Sequence, residues 1–262
     1  MAHKTLIAGT AYDISGGKTL VGGTAYGVSA GKTLIGGTTY GVNLVSYSPL
    51  ADSTWAQIQY VAQNGLFSQT GWAIGDTKTT TLSTAVLGTS SFTMQLVGVD
   101  LDGANTLAFI SLASSINTIN IVGSFTGYAS SLMSTNATNF YNYTDAKDYI
   151  KVLQRYYYTP GTTTRTAMSM PVFIPSLIEI GGTGSYYSNG DTGLTGTGHY
   201  SSFFNSDATR IKTYEGSSST TRYWTRSTPR DIAGYAFLIG LSGTSEAKKT
   251  GNYRAIFGFV IG

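Results

Sequence analysis

The N-terminal part of the chain contains three copies of one short unit, and this repeat constrains the fold more than any other feature. The unit starts at Lys4, Lys18 and Lys32 and reads Lys-Thr-Leu-(Ile/Val)-x-Gly-Thr-x-Tyr-x-(Ile/Val) with a period of fourteen. Thr and β-branched residues on both sides of glycine are typical of a strand, a turn and a second strand. A unit this short cannot bury an apolar face alone, so it needs neighbouring repeats or other chains. We therefore predict one hairpin per repeat, in an arm for assembly or docking; the alternative is a flexible glycine-rich leader.

The arm ends at a junction over residues 43–51, where Pro49 interrupts the β-prone pattern. We accordingly predict an arm at 1–48 and a second domain at 49–262. The large side chains that recur at one position of every unit are the candidate assembly contacts: Leu6, Tyr12, Leu20, Tyr26, Leu34 and Tyr40.

The composition excludes several classes of protein. The chain has no Cys and only 2 His, which argues against disulfides, zinc ribbons, iron–sulfur clusters and a Cys nucleophile. Charged residues are 11% of the chain and the net charge is +3, spread thinly, whereas a nucleic-acid binder carries a basic patch. No window approaches eighteen apolar residues and no secretory signal core precedes the repeats. We expect no metal, no cofactor, no nucleic acid and no membrane insertion.

The second domain is predicted to mix strands with two short helices. Apolar residues recur at helical spacing over 55–62, with Asp52 or Ser53 as candidate caps. A second helix is predicted from Asp145 to Tyr157, because acids come early, bases come late and apolar residues recur every third or fourth position. Strands are predicted near 79–82, 92–100, 107–112, 235–239 and 256–261.

Several short motifs follow one another in the second domain. They are Trp55…Gly65, Trp72-Ala-Ile-Gly-Asp76, Val97-Gly-Val-Asp100, Pro171-Val-Phe-Ile-Pro-Ser-Leu-Ile-Glu-Ile180, Tyr223-Trp224-Thr-Arg226-Ser227 and Phe257-Gly-Phe-Val-Ile261. As an ordered set over 52–262, they resemble a family of uncharacterised domains common in phages and prophages of gut bacteria. The N-terminal repeats also look like leaders found on phage virion proteins.

The Trp-x-Arg-Ser motif and the closing strand are also similar to the C-type-lectin-like fold of sulfatase-modifying-factor-type domains and phage tropism determinants. This resemblance implies an α+β, β-rich C-type-lectin-like domain with two short helices and a display surface made of loops. The enzymes of that superfamily depend on cysteines or metal ligands that this chain lacks, so their activity does not carry over. Trp224 and Arg226 are expected to be structural, with Arg226 paired to an acid such as Glu179 or Asp231.

The stretch from Gly181 to Thr221 is rich in Tyr, Ser, Gly and Asn, which is the composition of adaptable recognition loops. Aromatic faces for stacking and polar groups for hydroxyls would suit a sugar. The alternatives are a flexible surface loop and a loop packed on a neighbouring subunit. The candidate ligand-binding residues are Tyr186, Tyr187, Asn189, Asp191, His199 and Tyr200.

Catalytic motifs are not apparent. His199 could act as a base, but no Gly-x-Ser-x-Gly elbow supplies a nucleophile. The run Asp100-Leu-Asp102-Gly starts like a calcium loop but lacks the later acid, so it is read as the turn at a strand end. The glycine-rich runs lack the Lys-Ser/Thr of a phosphate loop.

These observations predict a phage virion structural protein, located in the virion and not an enzyme. Its repeats would dock on capsid or tail proteins. The chain would form a homo-oligomer, and a trimer is one candidate form. The second domain would attach to the host surface, with a cell-surface glycan as its ligand. The alternative is a decoration protein that stabilises the particle without reading a ligand. A cell-wall enzyme would need a carboxylate pair or base that the sequence does not provide.

Overall fold

A computed structural model of the chain contains two compact units, 1–47 and 48–262. This division lies one residue from the boundary that the sequence predicts. The structure describes residues 3–7, 10–14, 18–21, 24–27, 31–35, 38–42, 47–121, 135–158, 165–182, 200, 202–228, 235–249 and 251–262.

The first unit consists of one antiparallel hairpin per repeat, as the sequence predicts. Each hairpin is a separate two-stranded sheet, and two residues separate its strands. A two-residue connection containing glycine is the commonest hairpin turn, because its twist matches that of the strands. The strands are β1 (His3–Ile7), β2 (Thr10–Ile14), β3 (Lys18–Val21), β4 (Thr24–Gly27), β5 (Gly31–Ile35) and β6 (Thr38–Val42).

The second unit is α+β and mostly β, with short helices. The helices are α1 (Trp55–Gln63), α2 (Phe67–Thr70), α3 (Ala137–Tyr143) and α4 (Asp207–Arg210), with 3-10 turns at Leu50–Asp52 and Lys147–Tyr149. The strands are β7 (Thr77–Val86), β8 (Thr89–Val99), β9 (Leu107–Ser111), β10 (Ile119–Ile121), β11 (Leu153–Tyr158), β12 (Arg165–Met170), β13 (Val172–Phe173), β14 (Lys212–Thr213), β15 (Thr220–Thr221), β16 (Tyr223–Trp224), β17 (Ala236–Ile239), β18 (Ser245–Lys248), β19 (Gly251–Ala255) and β20 (Gly258–Ile261).

Two five-stranded sheets organise this unit. The first has the order β13-β20-β9-β8-β7 and is antiparallel throughout. The second has the order β10-β19-β16-β17-β18, in which only β16 and β19 run parallel. The pairs β11-β12 and β14-β15 form separate two-stranded sheets. Most neighbouring strands are far apart in sequence, so the fold depends on long-range pairing.

An aromatic cluster fills the core beside the first sheet. The indole of Trp55 in α1 meets the ring of Phe259 edge-on at 5.4 Å between centroids, and Phe140 in α3 lies 4.8 Å from Phe257. Phe140 also contacts Phe92 at 5.2 Å, which joins α3 to β8. All five side chains are buried. Truncating one such ring to Ala typically costs about 3–5 kcal/mol, because the cavity does not fully collapse.

Helix α1 confirms the first predicted helix. Its buried face consists of Trp55, Ile58, Val61 and Ala62, the residues that the spacing indicates. The cap differs from the prediction, because Thr54 rather than Asp52 or Ser53 accepts the bond from Gln57 N. The Gln57 side chain accepts from Thr54 N in return, which completes a capping box.

The helix predicted from Asp145 to Tyr157 is wrong. That stretch contains a single 3-10 turn, and β11 then pairs with β12 along its whole length. The carboxylate of Asp145 does not cap a helix, because it accepts bonds from Trp55 Nε1 (2.9 Å) and Thr80 Oγ1 (2.5 Å). Ile150 bridges to Ile261, and the tyrosine-rich sequence that follows favours a strand. Tertiary pairing thus overrides an apolar spacing that also suits a helix.

Candidate functional site

Two of the sequence motifs, about fifty residues apart, meet in the interior of the second unit. The main-chain N of Arg226 donates to Pro175 O at 2.9 Å, and Leu177 N donates to the Ser227 hydroxyl at 2.7 Å. The Arg226 guanidinium bonds a carboxylate oxygen of Glu179 at 2.8 Å. This pairing confirms the first of the two predicted partners of Arg226. Asp231, the other one, lies outside the described residues.

Glu179 is fixed by its own turn before it meets any arginine. One of its carboxylate oxygens accepts from Ser176 N at 2.8 Å, and Glu179 N donates to the Ser176 hydroxyl at 3.1 Å. This reciprocal arrangement is the pattern of a capping box, in which a Ser and a Glu three residues apart satisfy each other's backbone. The other carboxylate oxygen is therefore aimed at the guanidinium groups.

Arg155 extends the pair into a network. Its guanidinium donates to Glu179 Oε1 at 3.0 Å and to Asp102 Oδ1 at 2.7 Å. The Tyr200 hydroxyl accepts from Arg155 at 3.0 Å and donates to Asp102 Oδ2 at 2.7 Å. Two cations and two carboxylates thus balance each other. The side chains of Asp102, Arg155, Glu179 and Arg226 are completely shielded from solvent.

The charges in this network stabilise one another against burial. Burial by itself raises the pKa of a carboxyl group, but Arg226 and Arg155 outweigh it and lower the pKa of Glu179 below its usual value. Burial likewise opposes the charge on Arg155, but Tyr200, Glu179 and Asp102 raise its pKa. Burial also raises the pKa of Tyr200 well above its usual value, so the hydroxyl keeps its proton.

The interior position of Arg155 involves an aromatic face as well as ions. Its guanidinium lies 4.2 Å from the centroid of the Phe173 ring, which is favourable for a cation over a π face. The rings of Phe173 and Tyr200 are stacked at 6.5 Å. Among the residues that the structure describes, none accepts a hydrogen bond from the buried Nε of Arg155, so its terminal nitrogens make the bonds of this guanidinium.

The network also fixes Tyr200 at both its backbone and its side chain. Tyr200 donates its N–H to Glu179 O at 2.8 Å, while its hydroxyl is held by Asp102 and Arg155. Gly182 donates its N–H to Leu177 O at 2.8 Å. Gly182 and Tyr200, which flank the segment 183–199 in the sequence, are therefore both bonded to the turn that contains Leu177 and Glu179.

The backbone conformation and surroundings of Gly181 require glycine. Its φ is +67°, and a Cβ at this position would lie 2.5 Å from Phe204 O. The Arg210 guanidinium donates to Gly181 O at 3.0 Å and to Gly243 O at 3.0 Å. Arg210 also pairs with Asp207 in α4. Arg210 thus connects Gly181 to α4 and to the turn that contains Gly243.

The predicted ligand-binding residues fall into two groups. Tyr186, Tyr187, Asn189, Asp191 and His199 lie outside the described residues, and so do the side chains of the six assembly residues of the arm. Tyr200 is buried with 0% exposure and serves the network. Its hydroxyl bonds Asp102 and Arg155, so the side chain of Tyr200 belongs to the interior of the second unit.

Sequence reasoning missed Asp102 and Arg155 as partners of this network. Asp102 reads as part of a strand-end turn, which it is, since Asp100 just before it has a φ of +57°. Arg155 reads as the basic end of a helix. The one signal in the sequence for a different role is that Arg155 lies within a β-prone run, between Leu153 and the tyrosines that follow. The side chains of the four charged residues are shielded from solvent, and their bonds join segments that are far apart in the sequence.

No family model, curated protein or solved structure matches this chain. Among the residues that the structure describes, His, Asp and Glu side chains do not gather in threes as metal ligands. Nor does the described part contain a helix long and apolar enough to cross a membrane.

Proposed function

We propose that the chain is a structural protein of a phage virion. Its N-terminal repeats dock it on the capsid or tail, and its second unit, C-type-lectin-like in arrangement, attaches the particle to the host surface. The observation that carries the attachment role is that the buried ion network fixes Tyr200, which directly follows the segment 183–199 in the sequence. Recognition residues are concentrated on loops that a rigid scaffold positions, and the buried ion network is such a scaffold.

The composition of the segment supports this assignment. Its tyrosines, serines, glycines and asparagine suit a recognition surface, because Tyr offers a large contact area with few rotatable bonds. A glycan on the host envelope fits this chemistry best, since aromatic faces stack on sugar rings and amides bond hydroxyls. The ligand contacts would come from Tyr186, Tyr187, Asn189, Asp191 and His199. Tyr200 would connect these residues to the ion network through its bonds to Arg155 and Asp102.

A sedimentation assay with host cell envelopes tests the attachment role. We expect the full chain to bind envelopes and the double variant Tyr186→Ala/Tyr187→Ala to lose at least tenfold in affinity. Tyr60→Ala is the matched control, because Tyr60 is 56% exposed on α1 and outside the segment. Equal binding by the double variant and the control contradicts the assignment of the segment.

The register of the arm supports the docking role. In each hairpin the repeated Thr pairs with the repeated Tyr, and the adjacent Leu pairs with Ala or Thr. Adjacent positions of a strand belong to opposite faces, so the Leu and Tyr positions divide between the two faces of every hairpin. A two-stranded sheet with apolar positions on both faces is marginal in water and needs a cover on each. Other copies of the chain and virion proteins would supply it.

This same feature favours a second candidate, a decoration protein that stabilises the particle without a ligand. The two candidates share the arm and differ in the segment 183–199. A decoration protein would still be incorporated into particles after Tyr186→Ala/Tyr187→Ala and would not bind free envelopes. Envelope binding by the unaltered chain therefore decides for attachment.

A further inference from the structure

The strand edges of the first unit form an interaction surface. In the part of the chain that the structure describes, each of its three sheets consists of the two strands of one repeat. Successive hairpins are separated by three residues, 15–17 and 28–30, which is a usual length for a loop between paired strands. They nevertheless belong to separate sheets. The outward N–H and C=O groups of such edges are a template on which another strand adds.

The sequence of the arm favours strand addition. Proteins usually block an edge with proline, with a bulge or with a charge in the strand. Residues 3–42 contain no Pro, and the register of each hairpin runs without a shift. The repeated Thr and Tyr, which are enriched in strands, occupy the middle of the strands. The charged residues lie at or next to a strand end, and they are Lys4, Asp13, Lys18 and Lys32.

Two observations indicate that the added strand belongs to a second copy of this chain. The edges recur with a period of fourteen, and the repeated unit occurs in this sequence only at Lys4, Lys18 and Lys32. A partner for all three edges needs three equally spaced strands, which another arm provides. Each hairpin also pairs Thr with Tyr, and Leu with Ala or Thr. A first strand of one copy, set against a second strand of another, reproduces these cross-strand pairs.

We propose that the arm binds the arms of other copies edge to edge, through main-chain hydrogen bonds between the first strand of a repeat in one copy and the second strand in another. This rests on the proposed docking role and deepens it, because it assigns the edges to other copies and leaves the faces to virion proteins. Strand addition gains affinity from main-chain bonds and specificity from alternate side chains. Three linked repeats bind together, so the whole arm binds far more tightly than one repeat.

Sedimentation velocity of the full chain, from dilute solution to about 1 mM, measures this association. We expect the chain to associate reversibly. Lysines opposite the repeated Leu of every hairpin should weaken association at least about tenfold, because they place a charge in the edge strand. This variant is Ala11→Lys/Ala25→Lys/Thr39→Lys.

The matched control adds the same charge at three exposed residues of β7 and should associate like the unaltered chain. It is Ser83→Lys/Thr84→Lys/Ala85→Lys. A chain that stays monomeric at every concentration overturns the proposal, and so does equal association by the two variants.

Cross-linking tests the pairing without relying on the lysine variants. The chain has no Cys, so a disulfide between single-cysteine variants joins two copies. Leu20 and Ala25 are partners across the β3-β4 hairpin. An oxidised mixture of Leu20→Cys and Ala25→Cys should therefore give more mixed dimer, identified by its mass, than a mixture of Leu20→Cys with Thr84→Cys. Equal yields from the two mixtures overturn the assigned pairing.

Incorporation into particles separates this proposal from the docking role on which it rests. If the chain stays monomeric but needs residues 1–42 for incorporation, the pairing between copies is wrong and the docking role stands. If copies associate through the arm but the chain is not incorporated, the pairing stands and the docking role is wrong.

Discussion

The two units of this chain fold by opposite means. In the first unit every strand pairs with its neighbour inside one fourteen-residue repeat, and each hairpin is a sheet of its own. In the second unit β20 lies between β13 and β9, and Glu179 bonds Arg226 across 47 residues. The first unit has local pairing within each repeat, whereas the second has an aromatic cluster in its core and a buried network in which two arginines balance two carboxylates.

The two units therefore differ in the source of their stability. Long-range contacts stabilise the second unit from within, because its aromatic cluster and its ion network both consist of its own residues. The hairpins of the first unit follow from the local pattern of each repeat, but a two-stranded sheet gains too little free energy from burial to be stable alone. Four substitutions test this difference between the units, in order of decreasing expected effect.

The substitution Glu179→Gln should destabilise the second unit most. It removes the shared counter-charge of Arg155 and Arg226, and breaking a buried ion pair costs about 3–5 kcal/mol. Urea unfolding followed by Trp fluorescence measures it, since Trp55, Trp72 and Trp224 are the 3 tryptophans of the chain and all belong to this unit.

The matched control for this experiment is Glu246→Gln. Glu246 pairs with Arg222 and Lys248 at 3.5 Å each, with its side chain 28% exposed, so we expect a loss under about 1 kcal/mol. Equal losses in the two variants would show that the network does not stabilise this unit.

The stability of the second unit should rise with pH because of Lys212. Its folded pKa is about 8 and its ordinary value is 10.5, so between these values the unfolded chain binds more protons. The penalty is complete below pH 8 and fades towards pH 10.5. Lys212→Met should be more stable at pH 7, and its advantage should shrink by about 2–3 kcal/mol by pH 10.5. A difference in stability between the two proteins that stays constant with pH contradicts the effect of burial on the amine of Lys212.

Gly181→Ala should destabilise the second unit by about 2 kcal/mol. A side chain at φ +67° costs about 1–2 kcal/mol, and the new Cβ would also press on Phe204 O. Gly71→Ala is the control, because Gly71 has φ +77° but nothing within 4 Å of the added Cβ. The difference between the two free energies of unfolding measures the contact. Equal losses in the free energy of unfolding would mean that the backbone near Phe204 moves away from the new Cβ without measurable cost.

The smallest effect is expected in the arm. Tyr26→Ala removes one cross-strand pair with Thr19, which is worth about 0.2–1 kcal/mol. Millisecond amide exchange should therefore speed up by roughly 1.4- to fivefold in β3 and β4 and stay unchanged in the other two hairpins. Faster exchange in all three hairpins would show that they form one cooperative sheet.

The parts of the fold that could be predicted from sequence are those with local causes. The repeat predicts the hairpins, and the spacing of Trp55, Ile58 and Val61 predicts α1, since each pattern is complete within a few turns of chain. The strands β8 and β9 follow from apolar runs of the right length. The stretch Asp145–Tyr157 fails because its pattern suits both a helix and a strand, and the choice is made by β12 and by Ile261.

The candidate site shows the same limit. The pairing of Glu179 with Arg226 could be predicted, because a buried arginine needs an acidic partner. Glu179 is one of the two acids that the sequence analysis names for it. Asp102 and Arg155 are 53 residues apart, and no local pattern connects them. The role of Tyr200 as a support depends on both, so its burial could not be read from the composition of its neighbourhood.

Hydrogen–deuterium exchange on the full chain, free in solution and then assembled into particles, tests the contrast between the units most directly. The free chain should show strong protection in β8, β9 and β20 and at Tyr200 N, with exchange within seconds in β1 to β6. The hairpins should become protected only in the assembled protein. Hairpins as protected as β8 in the free chain would contradict the claim that the arm depends on partners while the second unit does not.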